Sequence, residues 1–429
     1  MKKIATITDV AERQLCTGCG TCAYLQPDVI EMVDDVDHGR RPIVASVALG
    51  AGDTDAALAA CPGVSLGHDE FPDGHIESLR STWGPVLEVW EGFAADPDIR
   101  FAASSGGVSS ALAIHAVEAQ KMHGLLHIKS RADSPYLNET TLSRSREQIL
   151  EAVGSRYAPA SPCDGLALVE EGDAPSVLIG KPCDIAGAIK AQGVRPELAE
   201  KLGLTIAIFC AGTPSLRGTF EMLDQMGISD PDTVEALRYR GNGWPGDAAA
   251  TVRVDGGEQQ TVTMSYNQSW GEILQRHRQW RCYVCTDHTG EFADIAVGDP
   301  WYRPPESDEP GRSLIVVRSE RGREFLRSAL DTGVIVADRV SSDSLPDAQP
   351  WLGRVRGEAG ARAATLRLLR IPAPAYRNMP VWPAWTRNLT VRDKLRSTLG
   401  TLRRIRRKGL MSRHPVSPYE PERSRFFQR

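Results

Sequence analysis

The spacing of the first cysteines constrains this chain more than any other feature. Cys16, Cys19 and Cys22 form a C-x2-C-x2-C segment, which can wrap one corner of a cubane cluster and offer three thiolates to three iron atoms. A fourth ligand in such modules comes from a distant Cys-Pro pair, and Cys61 is the only cysteine of the chain that proline follows. These four thiols predict one 4Fe–4S cluster in a ferredoxin-like module over residues 1–75.

Two observations bear on how many metals this module holds, and of which kind. A bacterial ferredoxin run would continue with another Cys-Pro pair, but Gln26 and Pro27 stand at that place, which fits a module with a single cluster. Tetrahedral zinc is the alternative, because C-x2-C also suits zinc. Three cysteines at two-residue intervals together with a Cys-Pro pair are unusual for zinc, so we favour iron.

Beyond this module, buried strands alternate with helical patterns. Residues 176–180 and 204–209 are typical of strands, and each run precedes a helical pattern that a glycine ends, over 184–192 and 214–226. This alternation predicts βαβ units and a parallel sheet. A further helix is expected at 108–118, a hairpin at 251–264, and later strands at 293–297, 313–317 and 334–340. The fold class is therefore α+β or α/β, with the small ferredoxin-like module followed by α/β domains.

Four more cysteines are expected at one edge of that sheet. Cys183 follows the first of these strands and Cys210 the second, and the carboxyl ends of parallel strands line one crevice. Cys282 and Cys285 form a C-x2-C loop that could close over them, so the four thiols predict a second 4Fe–4S cluster. The alternative is that Cys183 and Cys210 are buried structural thiols, which are common. Cys163 is then the ninth, unused cysteine.

Several short motifs occur in a fixed order between residue 16 and about residue 300. They occupy residues 16–22, 104–107, 154–157, 180–183, 209–212, 240–246, 282–285 and 293–299. Together they resemble the beta-subunit family of coenzyme F-420 (8-hydroxy-5-deazaflavin) hydrogenases and dehydrogenases, which includes 7-hydroxymethyl chlorophyll a reductase. The resemblance implies bound FAD, 4Fe–4S clusters, and electron exchange with a deazaflavin coenzyme or a ferredoxin. The short N-terminal module lacks the second cluster of longer relatives, and the chain beyond about residue 346 lies outside the resemblance.

The turn before the helix at 108–118 is a candidate phosphate site. Ser104, Ser105, Gly106 and Gly107 precede that helix, and free backbone N–H groups at a helix N-terminus bind phosphate. Glycines also let the backbone come close to a ligand. The alternative is an ordinary helix-capping turn. With the resemblance, we expect these four residues to bind FAD.

Five further residues are candidates for the flavin site. Ser155, Arg156 and Tyr157 could add phosphate contacts or a stacking face, although an exposed arginine and a core tyrosine are the ordinary alternatives. Lys181, at a strand end, could hold negative charge on reduced flavin, or it could be a solvated lysine. Asp299 could orient a substrate or a ribityl hydroxyl, or only terminate its strand.

Charge is unevenly placed along the chain. The segment from Arg387 to the end has thirteen Lys or Arg and three acids, a net charge of +10, whereas the whole chain carries −5 and the preceding residues therefore −15. An acidic body argues against nucleic acid as a partner. Residues 346–429 are expected to form a proline-rich linker and a basic amphipathic tail. The apolar stripe of that tail consists of Val391, Leu395, Leu399, Leu402 and Ile405.

The tail has two interpretations. A basic amphipathic helix can lie on an anionic membrane or bind a partner protein. Alternatively, it docks on the acidic body of the chain itself or is a disordered arm. The start of the chain lacks the apolar region of a secretory signal, and no apolar run reaches the roughly 18 residues of a membrane span. We therefore expect a cytoplasmic protein, peripheral at a membrane if the tail binds there.

Taken together, the sequence predicts an FAD- and iron–sulfur-dependent oxidoreductase. Its regions are expected to be the cluster module at 1–75, an N-terminal flavin-binding region at 85–168, an α/β domain with the second cluster at 169–345, and the linker and tail. Hydride exchange at the flavin would pass to single electrons in the clusters. The alternative functions are a non-catalytic electron-transfer subunit of a larger complex and a zinc-stabilised interaction protein.

Overall fold

The computed structural model describes residues 4–45, 54–70, 73–254, 257–302 and 310–421 of the 429-residue chain. Parts of the sequence predictions lie outside these ranges: residues 1–3, 46–53 and 71–72 of the predicted cluster module, the hairpin turn at 255–256, residues 303–309 of the predicted α/β domain, and the last arginines of the tail, Arg423, Arg425 and Arg429. Among the helices described, none is both long enough and apolar enough to span a membrane.

Helices are distributed over the whole chain. They are α1 (Ile7–Glu12), α2 (Thr21–Leu25), α3 (Asp55–Ala60), α4 (Glu77–Trp83), α5 (Pro97–Ala102), α6 (Val108–Glu118), α7 (Arg146–Leu150), α8 (Leu166–Glu170), α9 (Pro182–Gln192), α10 (Pro196–Lys201), α11 (Leu216–Gln225), α12 (Trp280–Tyr283), α13 (Glu320–Asp331), α14 (Ser344–Ala348), α15 (Leu352–Leu368), α16 (Val381–Asn388) and α17 (Val391–Arg407). Short 3-10 turns occupy Pro162–Gly165, Pro231–Thr233 and Leu274–His277, and a π-helix occupies Asn267–Ile273.

Within the described residues, the strands form one large sheet and three small ones. They are β1 (Ile30–Asp35), β2 (Gly39–Val44), β3 (Ser65–Gly67), β4 (Glu88–Ala94), β5 (Leu125–Ser130), β6 (Asn138–Ser143), β7 (Ser176–Gly180), β8 (Leu202–Ile208), β9 (Val234–Arg238), β10 (Ala248–Arg253), β11 (Gln259–Met264), β12 (Ile295–Gly298), β13 (Ser313–Val317), β14 (Ile335–Arg339) and β15 (Ala375–Arg377). The expected hairpin is confirmed: β10 and β11 pair antiparallel, with Thr251 opposite Thr261.

The large sheet has the order β14-β4-β13-β12-β8-β7-β5-β6. Its four central strands β12, β8, β7 and β5 are parallel, as the βαβ pattern predicted. The flanking strands β13, β4, β14 and β6 run antiparallel to their neighbours, so the sheet is mixed. Antiparallel flanks are common on sheets of this kind.

Apolar side chains alternate between the two faces of this sheet. Along β13, Leu314 and Val316 join one buried cluster with α9, whereas Ile315 and Val317 join the other with α6 and α13. Successive residues of a strand point to opposite faces, so both faces need a cover. The helices on each side supply it, and the carboxyl ends of β7, β8 and β12 are left at one open edge.

The N-terminal segment and the C-terminal helices pack on each other. The module contains α1, α2, the β1–β2 hairpin and α3, and β3 pairs in parallel with β15. Residues expected to be a linker contain β15 and α16, and α15 packs on both α16 and α17. The chain then returns to the module, where the N–H of His414 donates to the carbonyl of Glu12 at 2.9 Å. A proline-rich composition therefore marks a folded segment here, because the prolines lie at its turns and helix start.

Candidate functional site

The first cysteine group lies within the N-terminal module. Cys16 and Cys19 precede α2, Cys22 lies in its first turn, Cys61 follows α3, and the first three are buried. Burial raises the pKa of Cys22, and Cys16, Cys19 and Cys61 raise it further. Burial also raises the pKa of Cys61 to about 12, with a contribution from Cys19 and Cys16. The fold thus brings these four predicted ligands within electrostatic range of one another.

The second cysteine group lies at the open edge of the sheet. Cys183 is in the first turn of α9 after β7, Cys210 follows β8, and Cys282 and Cys285 lie in and after α12. Burial raises the pKa of Cys210 to about 12, and Cys282 and Cys285 contribute in the same direction. Burial likewise raises the pKa of Cys183, to which Cys210 and Cys285 add. These four thiols are also within electrostatic range of one another.

The chemistry of both groups fits iron–sulfur ligation. Backbone N–H groups donate to three of the sulfurs at 3.3 Å: Gly18 to Cys16, Gly212 to Cys210, and Thr213 to Cys282. Such hydrogen bonds are typical around cluster thiolates. A thiol whose pKa is raised by burial is protonated at neutral pH, so a bound metal would be needed to deprotonate it.

Two further observations concern the metal and the ninth cysteine. Within the described ranges, no three His, Cys, Asp or Glu side chains lie close enough together to form a metal-ion site, and this includes the cysteines of both groups. Cys163, expected to be the spare cysteine, is fully buried beside the first group, and its sulfur donates to the carbonyl of Asp184 at 3.1 Å.

A cavity of about 310 Å³ opens at the carboxyl ends of β7, β8 and β12. Most of the residues expected to bind flavin line it: Ser104, Ser105, Gly107, Ser155, Arg156, Tyr157, Lys181 and Asp299. Gly106 lies in the same turn but not in the lining. One predicted cluster ligand, Cys210, lines the cavity as well. The fold therefore brings the candidate flavin residues and the second cysteine group to one place.

The serine–glycine turn is held in position by its neighbours. Gly106 and Gly107 have φ values of 63° and 74°, and Gly107 is the N-cap of α6. These left-handed conformations favour glycine. The hydroxyl of Ser104 accepts from the N–H of Ser155 at 2.7 Å, and the hydroxyl of Ser105 donates to the carbonyl of Arg312 at 3.1 Å. The two loops that line this end of the cavity are thus joined by a hydrogen bond.

Arg156 has a specific environment that the sequence did not indicate. Its guanidinium donates to the side-chain oxygen of Asn138 at 2.6 Å and to the carbonyls of Leu237 at 2.9 Å and Pro135 at 2.7 Å. These acceptors are all neutral. Burial lowers the pKa of Arg156, because its charge is held by dipoles rather than by a carboxylate in these contacts. The result is a positive potential in the wall of the cavity.

Lys181 and Asp184 form an ion pair at the start of α9, in which the carboxylate is buried and the lysine is half-buried. The ammonium of Lys181 lies 2.7 Å from the carboxylate of Asp184, which also accepts from the N–H of Lys181 at 2.9 Å. Burial alone would lower the pKa of Lys181, but Asp184 outweighs it and the pKa is raised. Lys181 is thus a fixed cation at the strand end rather than a solvated side chain.

Asp299 is held by residues that were not predicted as site residues. Arg240 donates to its two carboxylate oxygens at 2.7 and 2.8 Å, and the indole N–H of Trp244 donates at 2.7 Å. The carboxylate of Asp299 raises the pKa of Arg240 against the effect of burial. Arg240 and Trp244 belong to the family motif at 240–246, which was the only indication in the sequence that they are site residues. Asp299, however, lies 59 residues away from Arg240 along the chain, so the motif did not indicate the pair.

An aromatic wall, missed in the sequence apart from Tyr157, completes the cavity. The rings of Tyr157 and Trp270 have centroids 4.8 Å apart, and those of Tyr266 and Trp301 stack at 5.6 Å. Trp244 stacks on Trp301 at 5.3 Å. Tyr266, Trp270 and Trp301 line the cavity. Single aromatic residues carry no sequence signal of their own, so only the fold identifies this wall.

Arg281 connects the two cysteine groups. Its buried guanidinium donates to the carbonyl of Pro62, which follows Cys61, at 2.8 Å, and to the carbonyl of Val284, which precedes Cys285, at 3.0 Å. One cation therefore contacts a backbone segment beside a predicted ligand in each group.

Models of one protein family match both halves of the central region. The model described as "Coenzyme F420 hydrogenase/dehydrogenase, beta subunit N-term" matches residues 89–167, and the corresponding C-terminus model matches residues 176–343. Together they cover more than half of the chain. The chain belongs to this beta-subunit family. The resemblance seen in the short motifs is thus confirmed.

Individual relatives agree with the family. The chain is 22% identical over 273 residues to coenzyme F420 hydrogenase subunit beta of Methanococcus voltae. This match covers 61% of this chain and 86% of that protein. It is 23% identical over 339 residues to one of the subunits of the F(420)H(2) dehydrogenase of Methanosarcina mazei. That match covers 77% of this chain and 87% of the relative. These relatives are oxidoreductase subunits, which supports an electron-transfer oxidoreductase role for the family member described here.

A solved structure shares the fold. A chain of the F420-reducing NiFe hydrogenase complex from Methanosarcina barkeri matches with a TM-score of 0.51 and 20% sequence identity. The match covers 66% of this chain and 94% of that one. The mixed α/β architecture is therefore common to both proteins.

Proposed function

We propose that this chain is an iron–sulfur flavoprotein oxidoreductase that binds FAD in the central cavity and two 4Fe–4S clusters on its eight grouped cysteines. One observation carries the proposal: Cys210 lines the same cavity as the turn at 104–107 and Lys181. A ligand in that cavity would therefore lie beside the second cysteine group. The clusters would be held by Cys16, Cys19, Cys22 and Cys61, and by Cys183, Cys210, Cys282 and Cys285.

The ends of the cavity differ in a way that suits FAD. The N-terminus of α6 supplies N–H groups, and the half-buried Arg156 supplies positive potential, for a pyrophosphate. Lys181 and Cys210 lie near the strand ends, where a redox-active ring would be useful. When bound, FAD supplies exchange of electrons singly or in pairs.

The residues of the chain would then orient the ligands and exclude water. The aromatic wall with Tyr266 and Trp301 offers a stacking surface and keeps the cavity apolar on one side. Lys181, fixed by Asp184, would hold negative charge that develops nearby. Asp299 has both oxygens bound by Arg240 and would act as a rigid acceptor for a hydroxyl of the ligand.

The external partner is proposed to be a deazaflavin coenzyme or a ferredoxin. The names of the two relatives, which refer to a coenzyme F420 hydrogenase and an F(420)H(2) dehydrogenase, support the deazaflavin. Nine free cysteines support work in a reducing compartment, the cytoplasm. A second candidate is an electron-transfer subunit without a substrate of its own, which is favoured by the naming of both relatives as subunits.

Anaerobic purification with iron and flavin counts tests the proposal. We expect about eight irons and one flavin per chain. Cys210→Ser should lose about half of the iron, whereas the matched control Cys163→Ser should keep all of it. A colourless preparation with zinc and no iron, or a Cys210→Ser variant with full iron, would contradict the proposal.

A donor screen separates the two candidate functions. The purified chain, with its cofactors, is mixed with reduced deazaflavin coenzyme or reduced ferredoxin, and bleaching of its flavin absorbance is followed. Flavin reduction in the chain alone supports the enzyme. Full cofactor content without any reduction until a partner subunit is added supports the electron-transfer subunit.

A further inference from the structure

The helix α17 is fixed to the protein through its polar face. Ser397 and Thr401 are buried, and the indole N–H of Trp385 donates to the hydroxyl of Ser397 at 3.4 Å. Asp393 is also buried, with Arg354 at 3.5 Å. Ile405, predicted as part of the apolar stripe, instead joins the core that contains Cys16. The rotation of α17 about its axis is therefore set by these contacts.

The end of the helix is clamped as well. The amide of Gln14 donates to the carbonyl of Lys408 at 3.0 Å, and the guanidinium of Arg413 contacts Glu12 at 2.7 Å. The segment after α17 continues over the module, where the N–H of Tyr419 donates to the carbonyl of Asp34 at 2.7 Å. Thus α17 is a docked helix and not a free arm.

This orientation leaves most of the predicted apolar stripe outside. Val391, Leu395, Leu399 and Leu402 are 74%, 55%, 60% and 42% exposed. They recur at the spacing of one helical face, over a length of about 16 Å. Amphipathic helices of globular proteins usually turn such a stripe inward. Here the polar face is buried instead, so the apolar stripe is available to a partner.

Arginines lie beside the stripe on the exposed side. These exposed residues are Arg392, Arg396, Arg403, Arg406 and Arg407. The single acid within α17, Asp393, is buried on the opposite side. An outward surface that combines a straight apolar stripe with a row of arginines matches the acyl boundary and the headgroups of an anionic bilayer.

We propose that the outward face of α17 binds an anionic phospholipid membrane. The four apolar side chains enter the boundary between headgroups and acyl chains, and the arginines contact lipid phosphates. Since Ile405 packs in the same core as Cys16, binding would hold the first cysteine group close to the membrane surface. The proposal rests on the exposed face alone and does not require the redox function proposed above.

Vesicle co-sedimentation of the anaerobically purified full chain tests this proposal. One vesicle preparation is phosphatidylcholine, and the other contains roughly 30% phosphatidylglycerol. We expect binding to the anionic vesicles, weakened by salt because the charges are exposed. Leu395→Ser with Leu399→Ser should weaken the binding constant at least tenfold. Arg396→Gln with Arg403→Gln should weaken it about fivefold per arginine.

Matched controls keep the outcome interpretable. Val336→Ser and Arg327→Gln change an exposed apolar residue and an exposed arginine elsewhere and should bind as the unchanged chain does. Iron content and circular dichroism confirm that each variant folds. Equal binding to neutral vesicles, or unchanged binding of the stripe variants, would overturn the proposal. So would a self-associated species that the same variants dissociate while vesicles remain unbound.

Discussion

The two cysteine groups differ in how they are enclosed. In the first group Cys16, Cys19 and Cys22 are buried and only Cys61 is half-buried, and the module around them is covered by residues after α17. The second group, in contrast, is partly exposed, and its Cys210 lines the central cavity. A cluster at the second group could therefore exchange electrons with a ligand in the cavity. A cluster at the first group would exchange electrons with that ligand only across the intervening protein.

They also differ in what builds them. In the first group, three ligands come from a seven-residue loop of a small module, whose own core is limited. In the second group, the ligands come from the ends of β7 and β8 and from the α12 region, which a large sheet with two apolar faces supports. A metal bound at the first group would therefore stabilise the module itself, whereas the structure around the second group would depend on the sheet.

Metal removal should break this comparison most clearly. Without iron, we expect α1 and the β1–β2 hairpin to lose at least about 3 kcal/mol of local stability, because metal binding supplies much of the folding free energy of small metal modules. The β8 strand should keep its protection. Hydrogen exchange of the chelated and the loaded protein measures both regions at once. Equal loss of protection in β8 would show that the two groups depend equally on metal.

The cavity beside the second cysteine group depends on buried polar contacts. Arg240→Leu leaves the carboxylate of Asp299 without its bidentate partner, and we expect the free energy of unfolding to fall by about 3 kcal/mol. The control is Arg253→Leu, which removes an exposed partner of Glu235 and should cost less than about 1 kcal/mol. Denaturant titration measures both. Equal effects would mean that the Arg240–Asp299 pair is no more important than a surface pair.

A close approach joins α9 to the first group. A Cβ added to Gly187 would lie 2.3 Å from the hydroxyl oxygen of Thr21 and 3.2 Å from the sulfur of Cys19. Gly187→Ala should therefore displace the cysteine loop and cost about 2 kcal/mol. Gly193→Ala, at the end of the same helix, meets only a carbonyl at 3.4 Å and should be nearly neutral. Thermal unfolding of the two variants, with iron counts, tests the difference.

The smallest expected effect concerns Arg281, which contacts backbone segments beside both cysteine groups. Replacing it by leucine removes a buried positive charge near Cys282, Cys285 and Cys183. We expect the potential of a cluster there to fall on the order of 60 mV, because reduction adds negative charge. Arg281→Lys keeps the charge and should restore most of the potential. Spectroscopic redox titration measures it, and an unchanged potential in both variants would remove Arg281 from this role.

Local periodicity predicted the central elements well. The helix at 108–118 and the strand at 313–317 have the predicted bounds, because their apolar spacing matches one period over their length. β4 was missed, since Glu88 and Glu91 interrupt its apolar pattern. In the fold both are buried, and Arg323 lies 2.9 Å from Glu88. Local pattern cannot identify a buried strand when the strand contains a charged residue whose ion-pair partner lies far away along the chain.

The prediction that the thiols form two groups follows from the order of the amino acids alone, because C-x2-C spacing and strand ends restrict where sulfurs can lie. The family follows from it too, through motifs kept in order. In contrast, the contacts of Arg240 with Asp299 and of Arg281 with Pro62, and the outward apolar stripe of α17, emerge only in the folded chain. These outcomes depend on contacts between residues far apart along the chain. Periodicity in the sequence shows which residues share one face of a helix or strand. It does not show which of those faces the neighbouring elements will bury.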